Sequence, residues 1–371
     1  MSKKKIIISA INIRQGGTLS VLNDCLTFLE NEISQEYEII ALVHKKSMFD
    51  SYKQIKFIEF PNSMNSYLRR CFYEYIFFNR LSKRLKPYLW LSLHDMTPNV
   101  KADIRAVYCH NPCMFYRLNG IKEFFVDKTF FIFCLFYRFL YEFNIKSNDY
   151  VIVQQTWIKN EFIKTFSLEP KKIIVSYPNI LVSKKSQRKK CRKSQKYTLF
   201  YASFPACFKN FEIIGEAAAL LKKKNIENIN FVVTIDGSEN KYSKSVYEKY
   251  KHLDNIEFIG LQSRESVFEL YKSSDCFLFP SKLETWGMPI SEAKAFNMPI
   301  ILSDLPYAHE TLGKYEKANF FNPSSAEDLV NKILDTQKDI FSVNNDVITE
   351  LPFANSWKGL FNILLGRNNV L

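Results

Sequence analysis

Short apolar runs alternate along most of the chain with segments whose apolar residues recur at helical spacing. This alternation is typical of β/α units with parallel strands. In the N-terminal half the predicted strands are Lys5–Ala10, Glu38–Val43, Ile55–Phe60, Trp90–Leu93, Ala106–Cys109 and Tyr150–Gln154. In the C-terminal half they are Tyr197–Ala202, Ile229–Ile235, Ile256–Gly260, Cys276–Phe279, Ile300–Leu302 and Ala318–Phe321. The pattern therefore predicts two successive α/β halves.

Amphipathic segments separate many of these strands. The predicted helices include Leu19–Leu29, Tyr67–Leu81, Asn210–Lys223, Glu265–Tyr271, Ser325–Thr336 and Ser356–Leu365. Several strands end in polar clusters, such as His94–Asp95 and His110–Asn111. Open parallel sheets bind ligands beyond the carboxyl ends of their strands. We therefore expect a site along these ends, in a cleft between the two halves.

The stretch from Ser273 to Asp304 carries the first functional signal. A strand, a turn-rich loop, a helical segment and a second strand follow one another there. Gly287 permits a backbone conformation that other residues resist, and Pro289 suits the first turn of a helix. The N-terminus of that helix would favour phosphate. Two carboxylates nearby, Glu284 and Glu292, indicate that hydroxyl groups of a sugar or ribose are also recognised.

A second glycine-containing turn, Gly16–Gly17, follows the first strand and precedes a helix. Such a turn lets backbone N–H groups approach a ligand closely, although a purely structural turn explains the two glycines equally well.

The segment Lys184–Lys196 contains eight basic residues and no acidic one. Such a run cannot bury a core and predicts a solvated linker. The predicted division is therefore an N-terminal α/β domain (1–183), the linker (184–196), a C-terminal α/β domain (197–345), and a terminal segment (346–371). The helix of the terminal segment is expected to pack back toward the N-terminal domain. The linker is interpreted either as a hinge or as a contact with anionic lipid.

Composition restricts the class of protein further. The 371 residues include 33 Phe and 20 Tyr, and the net charge is +13, which suits nucleic acid, anionic lipid or a phosphorylated substrate. The eight cysteines form no CxxC pair and predict buried thiols in a reducing compartment. The N-terminus lacks the apolar stretch of a signal peptide, so we expect a cytoplasmic location.

The segment Ile121–Asn144 is dense in Phe and Tyr. Its longest apolar run, Thr129–Tyr137, has nine residues, whereas a membrane-spanning helix needs about 20. Two interpretations remain: a helix that packs into the core, which we favour, or a helix whose exposed aromatic face lies in a membrane interface.

Taken together, these motifs resemble the retaining nucleotide-sugar glycosyltransferases of family 4, which have the GT-B fold. The resemblance rests on Glu284-x7-Glu292 in its strand–loop–helix setting, the Gly16–Gly17 loop, HNP at 110–112, and Lys209–Asn210 after the strand FYAS. VQQTW at 153–157, PN at 178–179, IEFIG at 256–260 and SW at 356–357 also match. It covers nearly the whole chain and implies an α/β GT-B fold, with two Rossmann-like doubly wound domains facing across a cleft.

The resemblance also implies roles for individual residues. Glu284 would bind hydroxyls of the donor sugar, and Glu292 the ribose of the nucleotide. Lys209 would neutralise the leaving diphosphate, which is electrostatic stabilisation of the transition state. His110 would lie near the reacting sugar. The remaining donor-binding residues would be Gly16, Gly17, Ile259, Thr285, Trp286, Gly287 and Met288.

One feature departs from the family pattern. Many relatives have an arginine a few residues before the lysine, whereas residues 201–208 contain no cation. The phosphate charge would then be met by Lys209, by the helix N-terminus, or by a basic residue elsewhere such as Arg14. The departure keeps open a catalytically silent GT-B protein that binds a sugar nucleotide or acts as a scaffold. The positive charge alone keeps open a nucleic-acid-binding protein, although no nucleic-acid motif supports it and none is expected as a partner.

The leading hypothesis is a retaining, metal-independent hexosyltransferase without a cofactor. Its substrates would be a UDP-, GDP- or dTDP-linked sugar and a saccharide acceptor, such as a lipid-linked oligosaccharide in bacterial O-antigen, capsule or lipopolysaccharide biosynthesis. The positive charge and aromatic segment favour a peripheral enzyme on the inner face of the cytoplasmic membrane.

Overall fold

The computed structural model of the protein describes residues 3–118, 120, 122–179, 196–344 and 347–367. Contacts divide the chain into two compact units. The first unit comprises the described residues of Met1–Asn111, Phe136–Asn179 and Thr349–Leu371. The second unit comprises the described residues of Pro112–Leu135 and Ile180–Ile348.

Each unit is built on a parallel sheet. In chain order the strands are β1 (Lys4–Ala10), β2 (Tyr37–Val43), β3 (Ile55–Glu59), β4 (Leu89–Ser92), β5 (Ile104–Tyr108), β6 (Tyr150–Val153), β7 (Ile173–Ser176), β8 (Tyr197–Tyr201), β9 (Ile229–Val233), β10 (Ile256–Phe258), β11 (Cys276–Phe279), β12 (Ile300–Ser303), β13 (Ala318–Phe321) and β14 (Phe353–Ala354). Among the described residues, the first sheet has the order β14-β7-β6-β5-β4-β1-β2-β3 and the second β10-β9-β8-β11-β12-β13.

Helices connect the strands. They are α1 (Gly16–Phe28), α2 (Tyr67–Phe72), α3 (Phe78–Leu85), α4 (Lys122–Val126), α5 (Lys128–Glu142), α6 (Thr156–Phe166), α7 (Phe211–Lys223), α8 (Lys241–Tyr250), α9 (Arg264–Ser273), α10 (Met288–Ala295), α11 (Pro306–Leu312), α12 (Ala326–Gln337) and α13 (Trp357–Leu364). Two π-helical segments, Leu29–Ile33 and Tyr73–Phe77, extend α1 and join α2 to α3. Within the described part of the chain, no helix is both long and apolar enough to cross a membrane.

The first sheet is covered on both faces, which explains its continuous apolar strands. Successive side chains of a strand point to opposite faces. In β1, Ile6 and Ile8 therefore join one core cluster, which includes residues of α1 and α13, while Ile7 joins another that includes Phe78 and Trp90. A parallel sheet buried on both faces needs apolar residues at every position of its central strands.

The second sheet contains the strand–loop–helix–strand unit that the sequence predicts. Strands β11 and β12 are parallel, with Phe277 opposite Ile300 and Leu278 opposite Ile301. Helix α10 lies between them in the chain. The predicted pair of parallel strands with an intervening helix is therefore confirmed, and it places the loop of residues 280–287 at the carboxyl end of β11.

The contacts group some segments differently from the domain boundaries predicted from the sequence. Residues 112–135 belong to the second unit, whereas the prediction assigned them to the N-terminal domain. The C-terminal segment belongs to the first unit, where β14 pairs with β7 and α13 contributes Leu360 and Leu364 to the core. Residues 184–195 of the predicted linker lie outside the described residues. No disulfide joins any two of the seven described cysteines.

Candidate active site

Two polar loops of the second unit meet at an ion pair. Lys209 follows β8 in the chain, and Glu284 follows β11, the neighbouring strand of the sheet. The Nζ atom of Lys209 lies 2.5 Å from Oε1 of Glu284, and the two side chains are only 17% and 14% exposed. A charge-assisted hydrogen bond in such shielded surroundings is stronger than a surface ion pair. The structure therefore brings together two of the three residues predicted to be catalytic.

Backbone contacts hold these two loops in register. The N–H of Lys282 donates to the carbonyl of Phe208, with a nitrogen–oxygen distance of 2.7 Å. The buried amide of Asn210 donates to the carbonyls of Pro280 and Pro323. Asn210 has a φ of 59°, a left-handed conformation that asparagine tolerates better than most residues. The Lys209–Glu284 pair is thus fixed by bonds that the apolar pattern of the sequence did not indicate.

Gly287 begins helix α10 in the way the sequence predicts. It is the N-cap residue, with a φ of +78°, and Pro289 occupies the first turn. A Cβ atom at Gly287 would lie 3.0 Å from Cδ1 of Ile290 and 3.3 Å from Cε1 of Phe279. Both the conformation and the close packing therefore require glycine here. The positive end of the helix dipole makes the start of α10 suitable for an anion.

We expect Gly287→Ala to destabilise the protein by about 1–2 kcal/mol, since an L-residue is strained in the left-handed region. It should also weaken binding of a nucleotide by displacing the N–H groups of α10. Melting temperature and nucleotide affinity would measure the two effects. Gly359→Ala is the matched control, because its Cβ would meet Ala354 at an ordinary 3.6 Å. Equal melting temperatures and nucleotide affinities of the two variants would contradict the requirement for glycine at position 287.

The other predicted residues of this loop differ in accessibility. Thr285 and Met288 are partly buried. The indole of Trp286 is buried, and its Nε1 donates to Oγ of Ser291 at 3.1 Å. The backbone carbonyl of Trp286 accepts from the hydroxyl of Thr311. A role of Trp286 in donor binding would therefore fall to its backbone, while its side chain holds the loop in place.

Glu292 lies on α10, one turn beyond the helix start. Burial raises the pKa of its carboxyl, while a hydrogen bond from Tyr271 and the charge of Arg264 lower it. The Tyr271 hydroxyl lies 3.1 Å from Oε2, and the Arg264 guanidinium 3.7 Å from Oε1. The carboxylate is thus held in one orientation as a hydrogen-bond acceptor.

Ile259, another predicted donor-binding residue, follows β10. Its backbone carbonyl accepts a hydrogen bond from the side-chain amide of Gln262.

In the first unit, Gly16 and Gly17 form the start of α1 after β1. Gly16 has a φ of +70°, which glycine adopts without strain. A Cβ atom at either residue would meet no atom within 4 Å among those described. Packing within the unit therefore does not require both glycines, and the space above them is open to a ligand.

His110 also lies in the first unit, directly after β5. Its ring stacks on Tyr108, with centroids 4.6 Å apart, and burial lowers its pKa. Its Nε2 atom is buried and has no hydrogen-bond partner among the residues that the structure describes. A neutral imidazole with an unused nitrogen can form a hydrogen bond with a substrate hydroxyl.

Asp95 is a residue whose function the sequence reasoning missed. One carboxylate oxygen accepts the backbone N–H groups of His110 and Asn111, and the hydroxyl of Tyr141 at 2.8 Å. The other accepts the hydroxyl of Tyr137 at 2.7 Å. Asp95 therefore positions the loop that carries His110. The His94–Asp95 cluster at the end of β4 was visible in the sequence, but only the fold shows which loop it holds.

No group of three or more His, Cys, Asp or Glu that could hold a metal ion occurs within residues 3–118, 122–179, 196–344 and 347–367.

The chain is similar in sequence and in fold to known glycosyltransferases. Residues 182–344 match the family described as Glycosyl transferases group 1. The chain is 26% identical to the O-antigen chain mannosyltransferase RfbU of Salmonella typhimurium over 243 residues. This alignment covers 64% of this chain and 65% of that protein. It is 23% identical, over 62% of both chains, to the N,N'-diacetylbacillosaminyl-diphospho-undecaprenol alpha-1,3-N-acetylgalactosaminyltransferase of Campylobacter jejuni. The matched regions span less than two thirds of either relative.

A solved structure extends the likeness to the whole fold. The apo form of the lipopolysaccharide outer core galactosyltransferase WaaB superposes with a TM-score of 0.67 at 15% identity, covering 98% of this chain and 99% of that chain. The fold is therefore GT-B, as the resemblance implies. The match to the Glycosyl transferases group 1 family lies within residues 182–344.

Proposed function

We propose that the protein is a retaining, metal-independent glycosyltransferase of family 4. It moves a sugar from a nucleotide-sugar donor to a saccharide acceptor in the assembly of a bacterial surface polysaccharide. The acceptor is a lipid-linked oligosaccharide, and the enzyme works at the inner face of the cytoplasmic membrane. The names of the two relatives, one an O-antigen chain mannosyltransferase and one that acts on a diphospho-undecaprenol-linked sugar, support this acceptor class.

The observation that carries the proposal is the contact between Lys209 and Glu284. In the reaction, the bond between the anomeric carbon and the diphosphate oxygen breaks, and negative charge grows on the diphosphate. The ammonium of Lys209 stabilises this charge because it is held in place before the reaction begins. Glu284 orients that ammonium and accepts hydrogen bonds from the sugar hydroxyls.

Neighbouring groups complete donor recognition in the second unit. The N–H groups at the start of α10, after Gly287, bind the diphosphate, and Glu292 binds the ribose hydroxyls. In the first unit, the Nε2 atom of His110 is available to hydrogen-bond a sugar hydroxyl or to orient the acceptor. The new bond from the acceptor oxygen forms on the face from which the diphosphate leaves. Because attack and departure use the same face, the anomeric configuration is retained. The acceptor proton passes to the departing phosphate.

A catalytically silent protein is the alternative that one observation favours. Residues 201–208, before Lys209, contain no cation, and the nearby ammonium of Lys282 is paired with Glu212 at 3.3 Å. A protein of this kind would bind the sugar nucleotide without breaking its glycosidic bond. Turnover of the donor separates the two functions.

A thermal-shift panel of UDP-, GDP- and dTDP-sugars tests the proposal. A donor at 100 times its dissociation constant stabilises the folded state by about 2.7 kcal/mol, so one nucleotide class should raise the melting temperature by several degrees. The donor so identified is then incubated with lipid-linked acceptors, and released nucleotide is measured. A shift without turnover would support the silent alternative. The absence of a shift with every donor at millimolar concentration would contradict both.

A further inference from the structure

The helical run of residues 67–85 (α2, the π-helical turn and α3) in the first unit has apolar residues on its outer side. Its one carboxylate, Glu74, is fully buried, whereas Leu68, Phe72 and Ile76 are exposed, Leu68 by 84%. The three are spaced four residues apart and so lie on one side of the helix. Large apolar side chains that share one exposed side mark a surface that another body covers.

A second exposed stripe lies on the part of α5 in the same unit. Phe136 and Phe139 lie on α5, and Phe143 directly follows its last residue. All three are exposed, Phe139 by 64%, and their spacing of three and four residues places them on one side. The two stripes meet where the ring of Tyr75 packs edge-on against Phe143, with centroids 4.6 Å apart. We call these residues the aromatic face: Leu68, Phe72, Ile76, Phe136, Phe139 and Phe143.

The exposed charges of the helical run 67–85 have one sign. Within residues 67–85, all of which the structure describes, every exposed charged side chain is cationic: Arg69, Arg80, Lys83 and Arg84. Arg80 and Arg84 continue the four-residue spacing of Leu68, Phe72 and Ile76. The exposed carboxylate of α5 at this end, Glu142, is paired with Arg138 at 3.9 Å. The surface thus presents apolar groups bordered by positive charge.

We propose that the aromatic face docks the protein onto an anionic lipid bilayer. A helix that lies in the membrane interface buries its apolar side chains at the boundary between headgroups and acyl chains, and its Arg and Lys contact anionic headgroups. The cationic border complements such a surface, because the one carboxylate of residues 67–85, Glu74, is buried. The inference rests on the peripheral membrane association proposed above and names the surface responsible for it.

Binding of the full chain to vesicles tests this inference. We expect the protein to sediment with phosphatidylglycerol-containing vesicles and to bind pure phosphatidylcholine vesicles less. The variant Leu68→Ser/Phe72→Ser/Ile76→Ser should bind at least tenfold more weakly. Since each Lys or Arg near the surface contributes about 1 kcal/mol, Arg80→Gln/Lys83→Gln/Arg84→Gln should lose roughly 100-fold in affinity for anionic vesicles and much of its salt dependence.

The matched control is Val343→Ser/Ile348→Ser, which removes two highly exposed apolar side chains elsewhere and should bind as the wild type does. Unchanged melting temperatures would show that the variants fold. Equal binding of the triple-serine variant and the wild type would overturn the aromatic face while leaving membrane association intact. Failure of the wild type to bind would overturn both the aromatic face and membrane association. It would leave the thermal-shift test of nucleotide-sugar binding unaffected. Self-association that the serine variant abolishes, with no vesicle binding, would identify the face as an interface between two copies.

Discussion

Lys209→Ala is expected to lower the rate of sugar transfer by about 10²–10³-fold, the loss typical when one preorganised group that stabilises developing negative charge is removed. The effect should fall on kcat, because the charge on the diphosphate is greatest in the transition state. Glu284→Gln should also reduce transfer, since Lys209 loses the carboxylate 2.5 Å from its Nζ atom. Nucleotide release with the donor identified by thermal shift would measure both variants.

Two controls separate chemistry from folding. Either single variant leaves one charge unpaired in a shielded position, which lowers stability, whereas Lys209→Met/Glu284→Gln removes both charges. The double variant should recover melting temperature without recovering activity. Lys224→Ala removes the lysine of another pair in the second unit, with Glu327, and should transfer sugar at the wild-type rate. Wild-type turnover by Lys209→Ala would refute the assignment of this residue.

The second large effect is expected from Glu74. Its carboxyl is fully buried beside Arg70 and His94, and desolvation raises its pKa from 4.5 to about 8. Nε2 of His94 lies 3.2 Å from Oε1 of Glu74, but neither oxygen forms a well-aligned hydrogen bond with a described residue. The same Nε2 lies 3.1 Å from Oγ of Ser9. Burial lowers the pKa of His94, so both groups are more easily kept neutral in the folded protein.

These shifts give a defined dependence of stability on pH. Since the pKa of Glu74 is raised on folding, its contribution is fully present below about pH 4.5 and is lost as pH rises through about 8. Because each unit of pKa shift corresponds to ~1.4 kcal/mol, the unfolding free energy falls by several kcal/mol. The lowered pKa of His94 acts in the opposite sense, since stability falls as pH drops through about 6.5. Stability should therefore decline on both sides of an intermediate pH.

Glu74→Gln should remove the alkaline part of this dependence and retain the acidic part. Melting temperatures between pH 5 and pH 9, measured by circular dichroism, would show the difference. Glu38→Gln is the control, because that partly exposed carboxylate of the first unit pairs with the exposed Lys56 and should leave the profile unchanged. Parallel profiles for wild type and Glu74→Gln would show that Glu74 is not protonated at neutral pH.

The sequence predicted the elements of the fold more fully than their contacts. The strands of the first sheet could be predicted from apolar runs because both of its faces are covered, as Ile6 and Ile7 show. The segment Ile121–Asn144 was harder. Its favoured interpretation as a core-packing helix holds for Tyr141, which is buried, but not for Phe139, which is exposed. Helical spacing alone does not distinguish the two faces when both are aromatic.

In the candidate site, too, local features could be predicted from the sequence and contacts between distant residues could not. Gly287 could be predicted because a local conformation requires glycine whatever surrounds it. Glu284, Glu292 and Lys209 were found through motifs in a resemblance, and their roles remain predictions. Asp95 was not predicted, since an acidic residue after a strand has no local property that reveals its partners.

By itself, then, the sequence determined the alternation of strands and helices and the glycine at the start of α10. These depend on period, turn chemistry and neighbours within a few residues, while the GT-B fold was implied by the resemblance to a known family. Only the tertiary structure decided that Lys209 meets Glu284, that Asp95 holds the His110 loop, and that Glu74 points inward while Leu68 points outward. Each of these contacts joins residues distant in the chain or depends on which side of a helix the core covers, and both are set by packing.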